Sequence, residues 1–233
     1  MKHINQPAQA AVLWDIDGTL IRRAGPEHRQ ALITAVRHVT GLETNVDGIP
    51  LHGMLDPDIL KAMMLKAGAR AADIRRALPA IERHAEEYYL RHAANLERKV
   101  CPGVRGLLRR LQHAGVPMGL VSGNFPRIGW RKVEKAGLKQ YFLVGAFAGM
   151  ARNRAALVGL ALRLLRRQGR IGRRTLVSLV GDTPRDVAAA RAAGVRAVAV
   201  ATGLCSVQEL AGAKPDILIE DLRRLPLEAL LEA

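Results

Sequence analysis

Cysteine is scarce. The 233 residues include two, Cys101 and Cys205, far apart and in no metal-binding spacing. This excludes a disulfide framework and a cysteine zinc site, and makes a reducing, cytoplasmic setting the expectation. Aromatic residues are 3% of the chain, too few to stack successive bases of a single strand. No apolar run approaches the roughly 18–20 residues that a membrane span needs. The short apolar stretch near the start, with one Lys before it, reads as a first strand and not as a signal peptide. The His residues show no HExxH or paired spacing. Between Lys139 and Lys214 there is no Lys at all.

What the chain does have is positive charge. Lys plus Arg is 36 against 21 Asp plus Glu, giving +15, and Arg outnumbers Lys 28 to 8. That balance points to anionic partners: nucleic acid, anionic lipid or a phosphorylated substrate. The Arg are spread along the chain, which favours solvated helix faces over one binding patch. Arg163, Arg166 and Arg170 illustrate this, falling opposite Leu157, Ala161, Leu164 and Leu165, with Arg173 and Arg174 following. With 49% apolar and 24% charged residues, the composition is that of a soluble globular protein with one large domain, or a core plus an insertion.

Short apolar runs bounded by polar residues read as buried strands. They occur at 10–14, 117–121, 141–147, 175–180, 195–201 and 216–219. Helical patterns at 103–114, 126–136, 155–168, 184–193, 207–211 and 222–231 alternate with them. This alternation predicts a parallel sheet with right-handed crossovers. Residues from about 23 to 98 differ. They show helical periodicity at 26–39, 57–67, 72–78 and 81–96, and no buried strand. The expected organisation is therefore an α/β core of residues 1–22 and 99–233, interrupted by a helical cap of residues 23–98.

The chemistry-bearing residues lie at strand ends, where open parallel sheets bind ligands. Asp15-Ile16-Asp17-Gly18-Thr19-Leu20 follows the first strand, with Asp15 and Asp17 on one side by backbone alternation. Two carboxylates so close call for a cation beside them. Gly181-Asp182-Thr183-Pro184-Arg185-Asp186 ends another strand and opens a helix with Pro in its first turn. Carboxylates from two strand ends form a hard oxygen site suited to Mg²⁺. Ser122-Gly123-Asn124 ends a third strand and offers a hydroxyl and loop amides to an anion.

Taken together, these motifs resemble those of the haloacid dehalogenase superfamily, in particular its phosphoglycolate-phosphatase-like members with a helical cap. The resemblance extends to Gly53-Met54-Leu55-Asp56-Pro57-Asp58-Ile59-Leu60 and to Cys101-Pro102-Gly103-Val104. It implies a Rossmann-like doubly wound sheet of order 3-2-1-4-5, which brings all three motifs to one crevice. The family usually has a Lys after the third strand. Here Arg154 stands at that place, with Arg152 as its competitor.

The resemblance implies an Mg²⁺-dependent phosphatase acting on a small phosphorylated metabolite. Asp15 would be the nucleophile and Asp17 the acid–base. Ser122, Gly123, Asn124 and Arg154 would hold the phosphate. Metal would sit on Asp15, the Asp17 carbonyl oxygen and Asp182, with Asp186 close by or acting through water. An acid at position 17 separates this chain from the dehalogenase branch. Phosphomutase chemistry is a second reading and nucleic-acid binding a third. Arg22, Arg23, His28 and His52 stand within reach of the pocket but read as surface groups.

Overall fold

A computed structural model of the chain describes residues 7–22 and 25–232. Its centre is one six-stranded sheet: β1 (Ala8–Trp14), β2 (Met118–Ser122), β3 (Val144–Phe147), β4 (Ile171–Gly181), β5 (Arg196–Val200) and β6 (Ile217–Ile219). Every pairing is parallel, in the order β3-β2-β1-β4-β5-β6. This is the expected order with β6 added at one edge. β1 lies in the middle and is apolar on both sides, as a parallel strand covered on both faces must be. Val12 and Trp14 enter one core with Leu107, Leu108 and Leu111 of α4 (Val104–His113). Ala11 and Leu13 enter the other with Leu157, Ala161 and Leu165 of α6 (Arg154–Arg167).

Three helices interrupt the core after β1: α1 (Glu27–Thr40), α2 (Asp56–Lys66) and α3 (Ala71–His92). They bury a separate cluster that includes Leu32, Leu60, Met63, Ile81 and Tyr89. Phe125 and Ile128, from the region of α5 (Pro126–Lys135), join that cluster. The chain leaves and re-enters the sheet unit through paired segments. Ile21 and Val100 form an antiparallel bridge, and Arg22 N–H donates to the Lys99 carbonyl at 2.7 Å.

Two expectations about helices need correcting. The separate helices at 72–78 and 81–96 are one helix, α3, with Pro79 inside it. Pro79 removes one backbone donor, but Ile74, Ile81, Ala85 and Tyr89 continue a single buried stripe past it. The helix at 222–231 is broken at Pro226 into a 3₁₀ turn, Leu222–Arg224, and the short α9 (Glu228–Leu231).

A candidate phosphoryl-transfer site

Register aligns the motifs. Trp14 pairs with Leu120 on one side and Val180 on the other, so Asp15, Ser122 and Asp182 emerge together at the carboxyl ends of adjacent strands. All three side chains are buried. They line a cavity of about 810 Å³ whose far wall is the helical insertion, including Leu51 and Met54.

Arg154 is the first residue of α6. A cation at a helix N-terminus opposes the dipole, so it needs compensation. Two carboxylates supply it: Nη2 donates to Asp15 Oδ1 at 2.5 Å and Nε to Asp186 Oδ1 at 2.6 Å. Asn153 takes over the capping, its side chain accepting from Ala156 N–H at 2.8 Å. Arg152 is exposed, so the structure brings Arg154 and not its competitor to the crevice.

Asp15, Asp182 and Asp186 each offer a carboxylate oxygen, all within 4.8 Å of one another and all buried. Burial pushes the Asp15 carboxyl up to about 7, with Arg154 opposing and Asp186 and Asp17 reinforcing the rise. Burial likewise raises Asp182, to about 8, reinforced by Asp15 and Asp186. Backbone has been cleared around Asp182: a Cβ on Gly18 or Gly203 would fall on its carboxylate. An all-oxygen set of crowded, buried carboxylates, which a cation would help to hold ionised, fits Mg²⁺. The three acids are not equivalent, however. Asp186 has both oxygens engaged, Oδ2 by the Thr183 N–H and hydroxyl at 3.1 and 2.6 Å and Oδ1 by Arg154. Asp182 keeps one oxygen free of Thr19, whose hydroxyl donates to Oδ1 at 3.1 Å.

The sequence profile of the haloacid dehalogenase-like hydrolases matches residues 9–194. The chain belongs to that family. A haloacid dehalogenase-like hydrolase of this kind has relatives along nearly its full length. It is 31% identical to a phosphoglycolate phosphatase of Chromobacterium violaceum over 230 residues, covering 90% of each chain. It is 28% identical to one from Pseudomonas syringae, covering 92% of this chain and 77% of that one. Solved structures share the fold. CbbY from Rhodobacter sphaeroides in complex with phosphate has a TM-score of 0.69 at 21% identity, covering 95% of this chain and 98% of that one. A beta-phosphoglucomutase from Clostridium difficile has a TM-score of 0.69 at 16% identity, covering 94% of each.

Asp17 has a cation that sequence reasoning missed. Lys132, buried in α5, reaches Asp17 Oδ1 and Oδ2 at 2.8 and 2.6 Å. Asn124 Nδ2 adds a bond to Asp17 Oδ2 at 2.7 Å and another to the Ser122 hydroxyl at 2.6 Å. Burial opposes the Asp17 charge, but Lys132, by its charge and hydrogen bonds, and Asn124 outweigh it and hold the carboxyl below its usual range. The signal for Lys132 was present: it lies four residues after the buried Ile128, on the apolar face of an amphipathic helix. Of the surface groups expected near the pocket, Arg22 and His52 are exposed at the cavity, while His28 is drawn inward onto Lys132. Arg23 lies outside the described residues. Arg163, Arg166 and Arg170 are exposed, away from the crevice. Among the described residues, no helix is long and apolar enough to cross a membrane.

Proposed function

We propose that this hydrolase removes phosphate from a small phosphate monoester through an aspartyl-phosphate on Asp15, using Mg²⁺. The observation that carries this reading is the convergence of Asp15, Asp17, Asp182 and Arg154 in one buried crevice, each acid with a distinct set of partners. Similarity to phosphoglycolate phosphatases supports the substrate class. The reading treats residues 23–98 as a cap domain and residues 1–22 and 99–233 as the core, supported by the separate helical cluster and the paired linkers.

Asp15 attacks phosphorus with one carboxylate oxygen while Arg154 holds the other. The bond to the leaving alcohol oxygen breaks, and Asp17 gives that oxygen a proton. In the second half Asp17, held as a carboxylate by Lys132 and Asn124, takes a proton from water. The resulting hydroxide displaces Asp15 from phosphorus, and the proton on Asp17 serves the next leaving group. Ser122, the Gly123 amide and Arg154 hold the non-bridging oxygens, while Asn124, expected among them, has its side-chain amide committed to Asp17, Ser122 and Lys132 and supports the loop. When bound by Asp15, Asp182 and the Asp17 carbonyl oxygen, Mg²⁺ supplies the positive charge that lets a carboxylate approach a phosphate dianion. Asp186 acts at one remove, fixing Arg154 and capping α7 (Pro184–Ala192) with Thr183.

The test is hydrolysis of p-nitrophenyl phosphate and of a panel of phosphorylated metabolites, with Mg²⁺ and with EDTA. Turnover that requires Mg²⁺ is expected. Equal rates in EDTA would remove the metal from the account.

A further inference from the structure

We infer that Lys132 is the positioning residue of Asp17, and that the cap residues His28 and Asp56 complete its setting, so that Asp17 is aimed at the leaving group only while the cap is docked on α5. This rests on reading Asp17 as the acid–base group.

The Lys132 ammonium is buried and fully engaged. Besides both Asp17 oxygens it donates to Asn124 Oδ1 at 2.6 Å and faces His28 Nδ1 at 3.2 Å. An ammonium brings only donors, so His28 Nδ1 is the acceptor there and the ring proton sits on Nε2. Nε2 points at Asp56 Oδ2, 3.1 Å away. One continuous chain of hydrogen bonds therefore runs from Asp17 in the core through Lys132 to two cap residues, His28 on α1 and Asp56 at the start of α2. Tyr89 of α3 sets its ring edge against His28, with centroids 6.1 Å apart.

Asp56 also fixes the loop that carries Ser122 and Asn124. Its carboxylate accepts from Phe125 N–H at 2.7 Å, and its own N–H donates to the Gly123 carbonyl at 2.8 Å. A second cap acid, Glu86 of α3, accepts from Arg127 N–H at 2.8 Å. The first turn of α5 has no side-chain cap of its own. Two of its free N–H groups, those of Phe125 and Arg127, are satisfied by carboxylates of the cap, where the helix dipole also favours negative charge. Undocking the cap would strip α5 of these acceptors and Lys132 of His28. The long, flexible Lys side chain would then lose part of what fixes its one geometry around Asp17.

Leaving-group dependence separates positioning of an acid from general damage. Phenyl phosphate needs its leaving oxygen protonated more than p-nitrophenyl phosphate does. The variants are Lys132→Met, His28→Leu and Asp56→Asn, with Asp17→Asn as reference and circular dichroism as a check on folding. Lys132→Met is expected to lower kcat/KM for phenyl phosphate at least roughly tenfold more than for p-nitrophenyl phosphate, within the span attributed to general acids. Its KM for p-nitrophenyl phosphate should stay near wild type. His28→Leu and Asp56→Asn should show the same selective loss, smaller in size, and His28→Leu should add nothing in the Lys132→Met background. Equal losses on the two esters, or additive effects of Lys132 and His28, overturn the inference while Asp17→Asn still shows the selective loss. If Asp17→Asn shows no selective loss, the acid–base reading itself fails and the inference with it. If Lys132→Met does not fold, the two cap variants carry the same comparison and decide it.

Discussion

Gly123 and Met54 meet backbone to backbone: a Cβ on Gly123 would fall on the Met54 carbonyl oxygen. The loop that carries Ser122 and Asn124 and the segment 53–56 of the helical insertion are thus packed without room for a side chain. Gly123→Ala should destabilise the protein by about 1–3 kcal/mol, the usual cost of overpacking. Urea unfolding of the variant against wild type measures this. An unchanged midpoint would mean that the segment 53–56 moves aside freely.

Arg154 and Arg152 should behave oppositely. Arg154→Ala removes the only cation that touches Asp15 among the described residues and should lower kcat/KM by roughly a hundredfold or more. Arg154→Lys should recover much of this, and exposed Arg152→Ala should have almost no effect. Steady-state kinetics on p-nitrophenyl phosphate decides, and a dead Arg152→Ala beside an active Arg154→Ala would reverse the assignment.

The crowded acids predict a pH effect on the metal-free fold. Asp15 and Asp182 have folded-state values of about 7 and about 8, raised above an ordinary carboxyl. The folded state therefore holds protons that the unfolded state has released, and these two groups cost stability progressively as pH rises from about 4 to about 8. In EDTA, Asp182→Asn should gain in Tm relative to wild type across that window. Mg²⁺ should raise the wild-type Tm more at pH 8 than at pH 5, and should do little for the variant. A Tm difference that does not change with pH would contradict the electrostatic picture.

The basic surface should be separable from catalysis. Changing Arg163, Arg166 and Arg170 together to Gln should leave turnover of a small phosphate ester within about twofold of wild type, as for substitutions far from the reacting groups. Lost activity in that variant would place the outer face of α6 in the site.

Much of this arrangement was legible in the sequence, for definite reasons. Buried parallel strands are short apolar runs, and the acids at 15, 17, 182 and 186 stand directly after two of them. Arg154 was placed by resemblance, at the position after the third strand where the family usually has a Lys. Other features depend on tertiary context. Pro79 reads as a break, yet the buried stripe from Ile74 to Tyr89 carries α3 through it. Lys132 stands on the apolar face of its helix, which marks it as buried, but its partner Asp17 is 115 residues away and could not be named from the pattern. Asp56 belonged to a stretch that resembles the family, but its bond to Phe125 N–H joins positions 69 residues apart and depends on how α2 packs beside α5.

The central claim is that Asp15 becomes phosphorylated. Its most direct test is to quench turnover of a phosphate ester in acid, reduce with borohydride and map the modified residue by mass spectrometry. The account predicts conversion of Asp15 to homoserine, at no other acid, and its disappearance in Asp15→Asn. Turnover with the modification at a different residue, or with none at all, would contradict it.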